Sequence, residues 1–444
     1  MTPTGQNIAV IGSGISGLSA AWLLSTSHIV TLYEAAPRLG GHTHTVEAPQ
    51  PDGRMQPVDC GFIVYNEKTY PNLTAMFDHL GVATRGTDMS FAVSLRGGRL
   101  EYGSTSLKAI FAQKRNLASP RFLGMLRDLT RFYRTAPSDI AKGSDDLSLG
   151  DYLQARGYGR AFQEDHLLPQ AAAIWSASVA DIREFPATAF VRFFENHGLL
   201  ELDVHARPQW RTVVGGSRSY IPKLTAPFAE RIRLDTPVTA IDRDARGVVV
   251  RDQRGGAERF DQVVIATHAN QALALLAQPT TDEQSLLSAF RYSQNSAILH
   301  TDTALMPKRR AAWSAWNYCG GPDGPGEVTY WMNLLQGLTT AEPLLVSLNA
   351  QRRPDPAKVI RTEYFAHPLF DHAAISAQKR LWSLQGQRHT WFCGAHFGSG
   401  FHEDGLQAGL AVAEAIGGVR RPWAVAEESG RIYLSNRQTE AQAA

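Results

Sequence analysis

Between residues 7 and 42 the chain sets out, in order, residue types suited to holding a dinucleotide. Asn7 to Ile11 reads as a buried strand and Gly12-Ser13-Gly14-Ile15-Ser16-Gly17 as a glycine turn. The run after it reads as a helix with Leu18, Ala21, Trp22 and Leu24 on its apolar side. In such a turn Gly12 permits the tight bend, Gly14 lets backbone approach a pyrophosphate, and Gly17 lets the helix lie close to the sheet. Ser13, Ile15 and Ser16 complete a loop whose free N–H groups and helix dipole face the diphosphate. A second strand from Ile29 ends at Glu34-Ala35, where Glu34 is placed to accept hydrogen bonds from a ribose. A strand, a glycine turn, a helix and a second strand must position these groups, and all four are present in that order.

The extension Glu34-x-x-x-Arg38-x-Gly40-Gly41, followed by His42, separates FAD from NAD. A turn on two glycines directly after the ribose acid, carrying a cation, suits the longer reach of a flavin dinucleotide. Non-covalently held FAD is therefore the expected cofactor. The pattern resembles the large flavoprotein superfamily of amine oxidases and phytoene-type desaturases.

That resemblance implies an α/β fold with a Rossmann-like FAD-binding domain assembled from three chain segments (1–90, 205–275 and 376–420). An interleaved α+β substrate domain (91–204 and 276–375) and a C-terminal tail (421–444) complete the amine oxidase-like two-domain arrangement. It implies that Gly61 and Phe62, after the acid Asp59, approach the flavin. Val213 to Ser217 should lead through a helix to a strand from Ile232 to Val238, with Val238 near the adenine. A β-meander through Val248–Val250 and Phe260 should follow. Asp261 to Ile265 should then bring Ala266, Thr267 and His268 to the dinucleotide. Finally, the strand Trp391 to Cys393 should deliver Gly394 and Ala395 and open a helix containing Glu403, Asp404, Gly405 and Leu406. A helix N-terminus there stabilises negative charge on a reduced flavin. One position departs from the pattern: Ala395 stands where an acid is usual, which leaves a ribityl or phosphate contact to a neighbour.

Further text between these pieces includes Asn196-His197-Gly198-Leu199-Leu200, Ala173-Ile174-Trp175-Ser176, Leu299 to Asp302, Trp316-Asn317-Tyr318 and Tyr330-Trp331-Met332-Asn333. With Asp59 to Asn66 and Gly400 to Gly405, it is similar to one subgroup. The subgroup comprises bacterial FAD-binding oxidoreductases and the oxidase-like domain of plant cyclopropane fatty acid synthases. The resemblance implies hydride abstraction from an apolar, fatty-acyl or modified lipid substrate to flavin N5, and association with a fatty-acyl methyl or cyclopropane transferase. Amine oxidation, double-bond isomerisation and a non-redox FAD scaffold are the alternatives.

No side chain need act as a nucleophile, because the isoalloxazine ring carries the chemistry. Phe401 sits where superfamily amine oxidases place an aromatic wall of the substrate cage, or else packs in the core. His396 and His402 are candidates for moving a proton; Asp404 reads as a helix cap. Amine oxidases present a lysine from the substrate-domain sheet beside flavin N5. The counterpart here, Gln294 to His300, has none, so Asn295 or His300 stands in its place or is a satisfied polar group of the sheet. Trp316, Tyr318, Tyr330, Trp331 and Met332 suit an apolar channel or an ordinary core.

Over 444 residues, an apolar fraction of 43% and a net charge of +2 fit a two-domain globular enzyme and demand no nucleic acid partner. Cys60, Cys319 and Cys393 are scattered, as reduced cytoplasmic thiols are. A polar start that enters the first strand at once leaves no room for a signal peptide, and no apolar run approaches the roughly 20 residues of a span. His42-Thr43-His44 has no third ligand nearby, so no metal is expected. The run Gly320 to Gly326 lacks a following Lys-Ser/Thr and reads as a loop. Residues 108–134 hold Lys108, Lys114, Arg115, Arg121, Arg127, Arg131 and Arg134 against Asp128 alone. Ser119-Pro120 starts a helix with Phe122, Leu126, Leu129 and Tyr133 on one face. It is either a surface helix or a peripheral contact with anionic phospholipid at the inner membrane surface.

Overall fold

The computed structural model describes residues 5–141, 147–175, 178–201, 207–320 and 326–434. Ser176, the run 321–325 and the tail from 435 lie outside them. A five-stranded sheet runs across Ile232–Arg233, Ile29–Tyr33, Asn7–Ile11, Gln262–Ile265 and Thr390–Phe392, every pair parallel. Parallel strands are covered on both faces, which is why Ile8 to Ile11 and Val263 to Ile265 are continuous apolar runs with almost no exposure. Three distant parts of the chain thus build one sheet, and their carboxyl ends rise to the same edge. The antiparallel meander Val238–Asp244, Gly247–Asp252 and Ala257–Phe260 follows the sequence reading.

Two local expectations change. The helix Ile15–Leu24 has no polar face; all ten residues are buried. The cause is a second helix, His402–Ile416, laid directly on it: a Cβ on Gly409 would lie 2.2 Å from the Ser16 carbonyl oxygen. The strand expected over 232–238 stops at Arg233, because Asp235 adopts φ +48° and turns the chain before Pro237.

A mixed seven-stranded sheet holds the other side of the site. Its order is Val359–Leu369, Arg291–His300, Leu345–Leu348, Glu327–Trp331, Trp316–Gly320, Phe91–Leu95 and Leu100–Gly103. In its edge pair Asn295 stands opposite Phe365 and Ser293 opposite His367. Helices between residues 107 and 196 pack beside it, the longest being Pro120–Ala141. On that helix Phe122 and Tyr133 are buried and Leu126 and Leu129 half-buried. Arg121 is tied to Asp165 at 2.7 Å, and Arg131 lies over the Tyr158 ring at 4.1 Å. The chain beyond 420 packs back on the nucleotide unit, with Trp423 stacked on Trp22 at 5.7 Å. Among the described residues no helix is long and apolar enough to cross a membrane.

Candidate functional site

A cavity of about 630 Å³ runs from the glycine turn at the sheet edge into the space between the two sheets, a size suited to a cofactor and small substrate. Gly12, Ser13, Gly14, Ile15, Ser16, Glu34 and Ala35 line its first end, together with Val238. Gly41, His42, Gly61, Phe62, Ala266, Thr267, His268, Gly394 and Ala395 line its middle. Glu34 is fixed before any ligand arrives: the Ser13 N–H and hydroxyl donate to one carboxylate oxygen at 2.9 and 2.5 Å, and the Ala36 N–H to the other at 2.8 Å.

Other predicted residues shape the site from behind. Gly17 does not line the cavity; it packs the helix against the turn, where a Cβ would stand 1.9 Å from the Gly12 carbonyl oxygen. Gly40 donates its N–H to the Ser13 carbonyl at 3.0 Å, and Arg38 donates to the Gly41 carbonyl at 2.9 Å. These two contacts hold the double-glycine turn over the loop.

The acids expected at the second end are placed elsewhere. Glu403, fully buried, accepts from Asn72 N–H and Nδ2, Leu73 N–H and Gln407 Nε2. It anchors the helix Pro71–Leu80 by two of its first-turn N–H groups. Asp404 caps its own helix by accepting from the Phe401 N–H at 2.8 Å, and pairs with Arg431. Gly405 lies against Ile15 and Ser16, and Leu406 is core. None of the four lines the cavity, because a helix shows a ligand only its first residues, here Phe401 and His402. Among the described lining residues no acid takes the place that Ala395 leaves. Asp59 also turns inward, accepting from Thr45, Ser217 and Gln336.

His402 lines the cavity but is stacked on Phe62 at 3.7 Å and hydrogen-bonded with Thr43 and Tyr220 at 3.0 and 3.2 Å. His396 lines it with a buried Nε2 that has no protein partner, and so does His42. Burial pushes His396 and His402 down to about 3, and lowers His42 and His268 as well. The site is therefore uncharged at neutral pH at every imidazole.

Asn295 and His300, the two candidates for the lysine's place, do not reach the cavity. Asn295 is 2% exposed and bonds within its own sheet; His300 is paired with Ser347 at 2.8 Å. The histidine that does reach it from this sheet is His367, which the sequence reading missed. Its only signal was two-residue alternation with Phe365 on the partner strand, legible once the register with Ser293 is known.

The second end is aromatic. Trp175, Phe193, Trp210, Phe365, Phe370 and Phe401 line it, with Phe401 stacked on Phe193 at 5.0 Å. Of the tryptophan and tyrosine set, Trp316 and Tyr330 face the cavity, while Tyr318 and Met332 are core. Among the described lining residues there is no lysine or arginine, and Glu34 is the one acid.

The fit to FAD is tested by groups the protein leaves unmet. A Cβ on Gly14 would meet nothing within 4 Å, so open space lies over the turn where a pyrophosphate belongs. The Nε2 atoms of His42 and His396 are buried without a partner beside it, which calls for polar atoms of a ligand.

Comparison with known proteins agrees. The profile of flavin containing amine oxidoreductases matches residues 15–352. A protein of Mycobacterium tuberculosis provisionally named flavin-containing monoamine oxidase AofH is 27% identical over 298 residues, covering 64% of this chain and 62% of that relative. The chain thus spans about three fifths of that relative's length. A solved structure from Exiguobacterium sp. 255-15, provisionally titled protoporphyrinogen oxidase, has a TM-score of 0.68 at 18% identity, covering 93% of this chain and 99% of the other. The CLA-producing fatty acid isomerase from P. acnes has a TM-score of 0.64 at 15% identity, over 93% and 98%. Both show the same fold. With a family profile across most of its length and a cavity whose unmet groups suit a flavin dinucleotide, this chain belongs to the flavin containing amine oxidoreductase family and holds FAD.

Proposed function

We propose that the protein is a flavin-dependent oxidoreductase that desaturates an apolar chain of the fatty-acyl or modified lipid class, a hydride leaving from one carbon and a proton from its neighbour. Bound FAD supplies the hydride acceptor. The observation that carries the reading is the aromatic, ion-free second end of the cavity, which offers an apolar substrate its contact area. Among its unmet polar groups, the buried indole N–H groups of Trp175 and Trp316 are donors that suit an ester or carboxyl oxygen, while His197, whose Nδ1 donates to the Phe193 carbonyl at 2.9 Å, leaves its Nε2 as an unmet acceptor. The missing lysine points the same way, as does the resemblance to the oxidase-like domain of cyclopropane fatty acid synthases. The amine oxidase reading is favoured by the likeness to AofH. An isomerase reading is favoured by the fatty acid isomerase that shares the fold.

Anaerobic mixing of the FAD-loaded protein separates the three. Phospholipid-bound unsaturated acyl chains are expected to bleach the flavin, and benzylamine or a polyamine to leave it oxidised. Product without lasting bleaching marks isomerisation; rapid bleaching by benzylamine overturns the proposal in favour of amine oxidation. Phe401→Ala, which removes a wall of the aromatic end, is expected to cut turnover at least about tenfold, roughly 1.4 kcal/mol, with FAD content unchanged.

We propose further that the substrate is met at an anionic lipid surface. Leu107, Leu117 and Leu123 are 75%, 57% and 45% exposed, and Lys108, Lys114, Arg115, Arg127 and Arg134 are exposed around them in the sequence. Each exposed cation adds about 1 kcal/mol of attraction near such a surface. Arg127→Glu with Arg134→Glu is expected to reduce sedimentation with phosphatidylserine vesicles more than tenfold and to leave the flavin spectrum unchanged. Equal, negligible sedimentation of wild type with anionic and neutral vesicles refutes this surface.

A further inference from the structure

His367 lines the cavity from the strand Val359–Leu369 and packs against His42, the residue after the double-glycine turn, with ring centroids 5.2 Å apart. Its proton inventory is settled by backbone groups that can only donate or only accept. The Ser296 N–H donates to Asn349 Oδ1 at 3.1 Å. That orients the Asn349 amide and leaves its Nδ2 to donate to Asn295 Oδ1 at 2.7 Å. Asn295 Nδ2 donates to the Ser293 carbonyl at 3.2 Å, and lies 3.1 Å from Ser293 Oγ and 3.0 Å from His367 Nδ1. A carbonyl cannot donate, so the Asn295 amide cannot be turned round, and the group facing Nδ1 is an amide nitrogen, which can donate and cannot accept. Nδ1 therefore accepts, and the proton of the neutral ring is on Nε2, at the ring edge away from Asn295.

This arrangement also opposes the cation. Protonating Nδ1 would set one N–H against another. The titratable groups facing His367 are His268 and His42, whose neighbour Arg38 adds positive charge. Burial and His268 push His367 down to about 4. No carboxylate faces it among the described residues that line the cavity, since Glu34 belongs to the ribose end.

We infer that His367 is a tautomer-locked, neutral hydrogen-bond donor to the ring system of bound FAD, and that Asn295 and Asn349 are the positioning residues that lock it. The inference rests on the FAD assignment and is independent of which substrate is used. A base at this position would take a proton from substrate. A locked donor does not; it favours electron density arriving on acceptor atoms of the ring.

The test begins with the wild-type protein loaded with FAD and labelled with ¹⁵N-histidine. Long-range ¹H–¹⁵N spectra are expected to show the His367 proton on Nε2 between about pH 5 and 8, with no titration, the signal being assigned by its absence from His367→Gln. Asn295→Asp exchanges the facing donor for an acceptor. It is expected to move the proton to Nδ1 and to introduce a titration of the flavin absorbance in that pH range which wild type lacks. His367→Leu is expected to shift the visible flavin bands and make the reduction potential more negative, and His367→Gln, which keeps an N–H, to restore both.

A proton found on Nδ1 in wild type overturns the inference. So does a His367→Leu protein that keeps FAD with unchanged spectrum and potential. Should the leucine variant not retain FAD, absence of the Asn295→Asp titration overturns it instead. A wild type that cannot be loaded with FAD fails at the cofactor assignment, before any variant is made, and removes this donor role with it.

Discussion

Gly14→Val gives a folded protein that does not hold FAD. The reason is that Gly14 sits at φ −63°, ψ 174°, a backbone conformation any residue adopts. A Cβ there touches no protein atom within 4 Å, so the polypeptide has no objection to valine. The side chain instead fills the space in which the loop and the helix Ile15–Leu24 meet a pyrophosphate. A loss of more than ~10³-fold in FAD affinity, on the order of 4 kcal/mol, is expected, with an unchanged circular dichroism spectrum. Gly17→Val is the contrast. Its Cβ would lie 1.9 Å from the Gly12 carbonyl oxygen, so the strand and helix cannot both keep their places, and loss of soluble folded protein is expected. Absorbance at the flavin band after reconstitution decides the matter. A yellow Gly14→Val protein refutes the placing of the pyrophosphate.

Glu403→Leu has the second largest effect, and it falls on stability rather than on the cofactor. The carboxylate of Glu403 receives four N–H groups at 2.9 to 3.1 Å, two of them from the first turn of the helix Pro71–Leu80. Leucine leaves these donors buried and unmet, and removes a negative charge from a helix N-terminus. A loss of about 3–5 kcal/mol is expected in urea unfolding, in the range of a broken buried ionic network. Glu403→Gln should fall between, since one half of its amide still accepts. FAD bound per folded molecule should match wild type in both variants. FAD loss with no change in the unfolding midpoint would return Glu403 to the cofactor site.

How much was legible beforehand depends on the range over which each feature is decided. The nucleotide end was legible because its parts are local. Gly12, Gly14, Gly17 and Glu34 lie within one strand–turn–helix–strand unit, and their spacing is dictated by the rise of those elements. The burial of the helix Ile15–Leu24 on every side was not legible. Its outer face is covered by Gly405 and Gly409, almost four hundred residues away in sequence.

Glu403 and Asp404 show the same limit at the other end of the site. Their place at the start of the last helix was read correctly, but the direction of a side chain is set by the neighbour that satisfies it. For Glu403 that neighbour is a helix at residue 71, and for Asp404 it is Arg431.

The strand pair Arg291–His300 and Val359–Leu369 decided the most. The absence of lysine over Gln294 to His300 was plain from the residues, and so was the presence of Asn295. That Asn295 faces into its own sheet, and hands the cavity to His367 through an Asn349–Asn295–His367 relay, depends on antiparallel register. A shift of one residue in that register would exchange the faces of every side chain on the strand. Sequence alone therefore determined the ligand class, because dinucleotide recognition is built from a contiguous backbone turn. The tertiary structure alone decided which side chains meet the reacting end, because that end is assembled across sheets whose register and packing no local spacing records.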